Sequence, residues 1–405
     1  MLLFPAVTMS QCKLLFSSVL IATTLKLYLA FTTHGTTDVD GFYDHLTQIR
    51  RLGVGAYHTR GPFDNPFNSP PPMIYVIKAI GLLSELTSLP FHFWLRFFPI
   101  MAGVISLLVV WRLLKHCTEL FPLLLALAFS PVSIIIDGYH GNTDSIVFMF
   151  VLLAIFFIDR PVLSGLVFGL GCCVKVVPLM FLAPFLLYLS NMKARFKFTL
   201  TGAGVFLFAS MPFIVQDPIA IEKVVFGYGS IYGTWGIPQI AAIIYPVSYV
   251  HAPFEPLGIH RMIAITLKCL AVAFIAVLSV WMNRNRLSLF LQCGVITALI
   301  LFLAPGFGPQ YLVWMVPFVL LSGLRKTIIY YLLVSLYLLY KYTGLTEVRW
   351  LVPFGFALSV YCWLFLALML SDYIRAAREA RIDKKPQRAV RPMSHTEIVP
   401  PTECE

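Results

Sequence analysis

Residues 14–33 read LLFSSVLIATTLKLYLAFTT, an apolar run broken by one lysine, Lys26. About 20 apolar residues cross a bilayer as a helix, so the run is long enough to span. A secretory leader has a shorter apolar core and small residues at its cleavage site. Neither is present, and many apolar runs follow, so a retained first helix is expected. Further candidate spans are 72–90, 93–111, 120–136, 145–158, 161–189, 198–215, 238–250, 262–282, 287–304, 311–323, 327–343 and 350–370. Lys175 and Pro178 divide 161–189 into two short helices, and 120–136, 145–158 and 238–250 are short for full spans. The length rule gives about 11 to 13 transmembrane helices.

Composition agrees with this reading. The 405 residues are 59% hydrophobic and 12% charged, with mean hydropathy +0.83. A soluble domain carries about 25% charged residues and needs polar surface to cover its core. A soluble enzyme, a nucleic-acid-binding domain and a disordered chain are therefore excluded. The expected fold class is an all-α polytopic transmembrane bundle. The net charge of +11 sits in short basic turns at 193–197, 283–286 and 325–326 and in the tail, which read as cytoplasmic. The stretches 216–237, 305–310 and 344–349 then fall on the opposite side. Residues 1–371 are expected to form the membrane domain and 372–405 a basic cytoplasmic tail, disordered beyond Lys385 where it turns polar. The eight cysteines show no metal or redox spacing and read as small buried hydrophobes.

The segment 34–71 is the longest non-cytoplasmic loop and is rich in charge. Within it, 43–52 places Leu46, Ile49 and Leu52 at three-residue spacing against Arg50 and Arg51, the pattern of an interfacial helix. Just before it stand Asp38 and Asp40, in Thr37-Asp38-Val39-Asp40-Gly41. Two carboxylates at a bilayer surface can act as a base or bind a cation, and a low-dielectric boundary raises a carboxyl pKa. They can equally solvate a loop or cap a helix starting near Phe42.

Four further stretches can carry chemistry. Asp137-Gly138-Tyr139-His140-Gly141-Asn142-Thr143-Asp144 is a polar run between apolar segments, where polar groups are costly and tend to be functional. A tight turn with a helix cap is the plain alternative. Lys175 lies amid apolar residues and is expensive there unless it meets a wet cavity or an anion such as a lipid phosphate. Snorkelling to the interface is the alternative, and is the expectation for Lys26. The aromatic loop 226–236, with Trp235, is either a sugar or lipid platform or an interfacial belt. Residues 304–314 hold two prolines and two glycines before Gln310 and Tyr311. Unwound backbone of that kind is tolerated where it lines a cavity.

In this order the motifs resemble the GT-C membrane glycosyltransferases, most closely the polyprenol-phosphate-mannose-dependent mannosyltransferases. These include the bacterial alpha-mannosyltransferases of lipoglycan synthesis and the first GPI-anchor mannosyltransferase. Asp38-Val39-Asp40 is similar to the family's acidic motif in its first outer loop. Leu52-Gly53-Val54-Gly55-Ala56-Tyr57 is similar to the Gly-rich stretch that follows it, and Phe67-Asn68-Ser69-Pro70-Pro71 to the entry into the second span. His140-Gly141-Asn142-Thr143-Asp144-Ser145-Ile146, Val174-Lys175-Val176-Val177-Pro178-Leu179 and Pro309-Gln310-Tyr311-Leu312-Val313-Trp314 complete the series. Aligning Tyr43 and Tyr57 to the family pattern sets the expected aspartate one residue from both Asp38 and Asp40, so the choice between them stays open.

The resemblance implies inverting transfer of a hexose, with mannose favoured, on the non-cytoplasmic side. The donor would be a polyprenyl-phosphate sugar and the acceptor a lipid or glycan. Asp38 or Asp40 would be the general base. Lys175, His140 and Gln310 would meet the leaving phosphate. Asn142, Asp144, Tyr311, Trp235 and Tyr57 would bind substrate. A divalent metal held between Asp38 and Asp40 is a further possibility, since metal dependence varies in the superfamily. The implied location is a bacterial plasma membrane or the ER membrane. A lipid-linked sugar transporter and a non-catalytic membrane scaffold are the rival readings.

Overall fold

A computed structural model describes residues 9–53, 55, 69–115, 117, 119–216, 230–249 and 255–382. Its helices are α1 (Met9–Thr32), α2 (Thr37–Leu52), α3 (Met73–Thr87), α4 (Phe91–Leu113), α5 (Leu120–Ala128), α6 (Asp144–Phe156), α7 (Pro161–Val174) and α8 (Leu182–Tyr188). They are followed by α9 (Met192–Gln216), α10 (Gly236–Ile244), α11 (Gly258–Arg284), α12 (Leu289–Leu303), α13 (Leu324–Tyr342) and α14 (Val352–Ile382). Among the described residues, six helical stretches are long and apolar enough to cross a membrane: Met9–Thr32, Phe91–Leu113, Leu120–His140, Met192–Gln216, Gly258–Arg284 and Arg349–Arg375. Between them stand shorter apolar helices, Asp144–Phe156, Pro161–Val174, Val177–Tyr188 and Leu289–Leu303. The protein is an all-α polytopic membrane bundle.

Several boundaries follow from local chemistry. Ser288 accepts from the Leu291 amide at 3.3 Å and caps α12. Asn191 Oδ1 does the same for the start of α9, accepting from Ala194 N at 2.8 Å. The run 161–189 does divide, and the break falls at Lys175. There the backbone turns extended, and a 3-10 stretch Val177–Phe181 opens with Pro178. The expected span 311–323 is not α-helical: it forms two 3-10 stretches, Pro309–Met315 and Val319–Ser322. The last helix runs past residue 371 to Ile382, while 383–405 lie outside the described residues.

Chain direction alternates through the bundle and separates two polar ends. At one end Glu119 Oε2 accepts from the Leu324 amide and Lys326 pairs with Asp372. Alternation brings the basic turns near residues 195, 285 and 325 to that end. The residues 34–38, 140–144, 175, 311 and 342 meet at the other. Glycines set close helix contacts that hold α7 in register on α9. A Cβ at Gly165 would stand 2.3 Å from the Phe198 carbonyl oxygen, and one at Gly169 would stand 2.5 Å from that of Gly202. Backbone-to-backbone approach of α7 on α9 thus needs these small residues, and α7 delivers Lys175 at its end.

The amphipathic helix α2 starts earlier than the sequence pattern suggests. It begins at Thr37 rather than near Phe42, so Asp38 and Asp40 lie in its first turn and not in a loop. Both complement the positive end of the helix dipole there. Val39, Leu46 and Ile49 are buried, while Leu52 is half exposed. Leu46 packs on α3 at Gly81, where a Cβ would stand 2.7 Å from Leu46 Cδ1.

Candidate active site

The polar run 137–144 begins inside a helix. Residues Ile134–His140 form a π-helical turn that ends at Gly141, with φ of +86°. An extra residue per turn is a recurring device at functional sites. It lets Asp137 and His140 face different partners. Asp137 is fully buried and meets Lys26 Nζ at 3.1 Å, and Ser133 Oγ donates to the same carboxylate at 2.7 Å. Ser145 donates to its other oxygen. Lys26 therefore does not snorkel: it is held inside the bundle by a buried carboxylate. Gly138 allows this, because a Cβ there would stand 3.1 Å from the Lys26 Cα.

Arg96 joins the same region to the end of α1. It is fully buried in α4. Its NH1 donates to Thr33 Oγ1 (2.9 Å), the Gly138 carbonyl (3.2 Å) and the Tyr139 carbonyl (3.0 Å). Its NH2 donates to the carbonyls of Ala30 (3.0 Å), Thr33 and His34 (3.2 Å). Guanidinium geometry suits this fork of acceptors, and a lysine could not supply it. Two chain ends that carry polar residues are thereby fixed side by side.

Val39 closes the gap between them. It is 1% exposed and lies between Gly35 and Gly141, both of positive φ. A Cβ at Gly35 would stand 2.8 Å from Val39 Cγ2, and one at Gly141 would stand 2.7 Å from it. The two glycines admit the valine and draw the first turn of α2 onto the 140–144 loop.

Asp38 is thus carried into a connected cluster. Its Oδ2 accepts from Asn142 Nδ2 at 2.6 Å and lies 3.2 Å from His140 Nε2. The Nδ1 atom of His140 is 2.7 Å from Thr36 Oγ1, and its ring stacks on Tyr342 with centroids 4.4 Å apart. Lys175 Nζ donates to Asn142 Oδ1 at 2.9 Å and to Asp144 Oδ2 at 2.8 Å. It also sits over the Tyr311 ring, 5.7 Å from the centroid. Trp314 Nε1 donates to Asp144 Oδ1 at 2.8 Å. Asn142 is the hinge of the cluster, since its amide nitrogen serves Asp38 and its amide oxygen serves Lys175.

Electrostatics here run against the sequence expectation. Burial raises the Asp38 carboxyl, but the charge and contact of His140, the Asn142 hydrogen bond and the Lys175 charge outweigh it. The carboxyl is held below its ordinary value and is ionised at neutral pH. Asp40 stands apart. It is half exposed and its Oδ1 lies 2.7 Å from His34 Nε2. Residues two apart on a helix do not share a face, so Asp38 and Asp40 do not fit a shared divalent ion. Among the described residues no group of three or more His, Cys, Asp or Glu is placed to hold a metal.

The cluster therefore brings together Asp38, His140, Asn142, Asp144, Lys175 and Tyr311 of the residues expected from sequence. Gln310 opens the 3-10 turn beside Tyr311, its amide over Gly308. Trp235 is not in the cluster. It is 1% exposed, donates to the Leu301 carbonyl at 2.8 Å and stacks on Phe307 at 4.0 Å. Residues 230–236 of the aromatic loop and the 304–308 turn thus pack on each other as core, where Gly306 meets the Ser230 backbone, while 226–229 lie outside the described residues. Tyr57 lies outside the described residues. Thr36, Arg96 and Tyr342 escape the sequence reading. A single arginine within an apolar run was a usable signal for Arg96, because a charge at that depth needs partners. Thr36 and Tyr342 carry no such signal.

Residues 138–252 match the family model described as Mannosyltransferase (PIG-M). No curated protein matches the chain. The matched segment opens in the π-helical turn and contains His140, Asn142, Asp144 and Lys175, while Asp38 and Tyr342 reach the cluster from outside it. The apolar helices and this match make the chain a multi-pass integral membrane glycosyltransferase that is similar over residues 138–252 to the PIG-M mannosyltransferases.

Proposed function

We propose that the protein transfers a mannosyl residue from a polyprenyl-phosphate-mannose donor to a hydroxyl of a lipid or glycan acceptor, on the non-cytoplasmic face and with inversion. The supporting observation is the Asn142 side chain, which links Asp38 to Lys175 through its two ends. A proton acceptor and a phosphate-binding cation are thereby set a few ångströms apart, as the reaction needs.

In this reading the acceptor oxygen attacks the sugar C1 as the C1–O bond to phosphate breaks on the opposite face. Asp38 takes the hydroxyl proton as general base. Both of its contacts use Oδ2, which leaves Oδ1 for the incoming hydroxyl. An ammonium has three N–H donors. Lys175 gives two of them to Asn142 and Asp144, and the third meets a phosphate oxygen, with His140 beside it. Charge that develops on the leaving phosphate is then met by fixed donors. A bound phosphate also offsets the positive groups near Asp38, which raises the proton affinity of the base when substrate is present. Asp144 and Trp314 orient Lys175 from behind.

The test is sugar transfer by purified protein in nanodiscs, with polyprenyl-phosphate-mannose, other polyprenyl-phosphate sugars and a panel of lipid and glycan acceptors. Transfer or slow donor hydrolysis with the mannosyl donor supports the reading. Folded protein that turns over no polyprenyl-phosphate sugar, or only non-mannosyl donors, refutes it.

A further inference from the structure

A hydroxyl beside the cluster lacks a hydrogen-bond partner, as does the His140 Nε2 atom that lies 3.2 Å from Asp38. The Tyr342 hydroxyl is buried and makes no hydrogen bond among the described residues. Its ring lies flat on His140, with an interplanar angle of 17°. The phenol is within electrostatic reach of Asp38, Asp144 and Tyr311. A buried hydroxyl without a partner is destabilising, and such groups in native proteins mark a bound water, an ion or a functional role. The ring alone would suffice for packing on His140, and phenylalanine would provide it without that cost.

We propose that Tyr342 is a substrate-binding residue whose hydroxyl donates a hydrogen bond to an oxygen of the sugar-phosphate headgroup bound between Lys175, His140 and Asp38. The assignment rests on the functional reading above. Tyr342 then has two parts with separate duties. The ring holds the His140 imidazole parallel to it, and the hydroxyl waits for a ligand acceptor. The partner oxygen belongs either to the phosphate or to the sugar.

The test is Tyr342→Phe, which keeps the ring and removes the hydroxyl. Binding is measured to the full chain in nanodiscs with polyprenyl phosphate and with polyprenyl-phosphate-mannose, alongside thermal stability. The variant is expected to be as stable as wild type or more so, because it loses an unpaired buried group. It is expected to bind the mannosyl donor about tenfold more weakly, the scale of one hydrogen bond. An equal loss for polyprenyl phosphate assigns the contact to the phosphate, and a loss confined to the mannosyl donor assigns it to the sugar. Tyr342→Leu removes both parts and is expected to add a loss in kcat through the freed His140. Wild-type affinity of Tyr342→Phe for both ligands overturns the proposal. Lowered stability with unchanged affinity overturns it too, by making the hydroxyl structural. A wild-type protein that binds neither ligand overturns the functional reading and this assignment together.

Discussion

Asp38 Oδ2 and Asn142 Nδ2 are 2.6 Å apart, although 104 residues separate them in the chain. This contact joins the first turn of α2 to the loop after the π-helical turn. It also leads on to Lys175, so one amide connects a carboxylate that precedes the matched segment to an ammonium inside it.

The Lys175–Asp144 pair separates structural from chemical effects. Asp144 is fully buried, and Lys175 is its cationic partner. Removing one member of a buried pair costs about 3–5 kcal/mol. Lys175→Met should therefore lower the unfolding midpoint strongly as well as abolish transfer. Adding Asp144→Asn to it should recover most of the stability and none of the transfer. Thermal denaturation and turnover of the single and double variants check this.

Arg96 holds the ends of α1 and the π-helical turn together through backbone carbonyls. Arg96→Lys keeps the charge but reaches fewer of them. Each buried carbonyl left without a donor costs about 1–3 kcal/mol. The variant should be destabilised by several kcal/mol, and hydrogen exchange should rise around residues 30–34 and 138–141. Exchange mass spectrometry on the protein in nanodiscs reads this directly.

His45 gives the outer helix α2 a pH limit. Its ring is buried, and burial lowers its pKa from 6.5 to about 4. The folded state thus binds the proton less well than the unfolded state. Stability is fully present above pH 6.5 and falls as pH drops toward 4. The size is about 3 kcal/mol at the lower end. Asp38 acts in the same direction, since its depressed pKa makes it a stabilising carboxylate that is lost only at lower pH. His45→Gln should flatten the slope between pH 6.5 and 4 in a pH series of thermal midpoints. An unchanged slope would remove His45 as its source.

Much of this was legible in the sequence, for reasons that can be named. Apolar run lengths announce the spans because lipid tolerates little else, and the break at Lys175 is announced by a charge followed by proline. The polar run 137–144 stands out because polar groups at that depth are costly. Other features depend on contacts that no local pattern encodes. The start of α2 at Thr37 depends on Val39 entering between Gly35 and Gly141. Lys26 looks like a snorkelling lysine until the π-helical turn sets Asp137 against it. Trp235 looks like a binding platform until Phe307 covers it. The direction of the Asp38 pKa could not be read either, because three of its neighbours lie more than a hundred residues away. Helical geometry turns Asp38 toward His140 and Asp40 toward His34, a difference that no local pattern announces and on which the proposal of Asp38 as the base leans.

The account rests most on Asp38 as the group that accepts the acceptor's proton. Its most direct test is the turnover of polyprenyl-phosphate-mannose by Asp38→Asn and Asp40→Asn, measured in parallel with donor binding. Asp38→Asn should lose transfer by about 100-fold or more, the range of general-base catalysis, while still binding donor. Asp40→Asn should keep turnover within a few-fold of wild type. Equal, mild effects of the two substitutions, or a greater loss at Asp40, would contradict it.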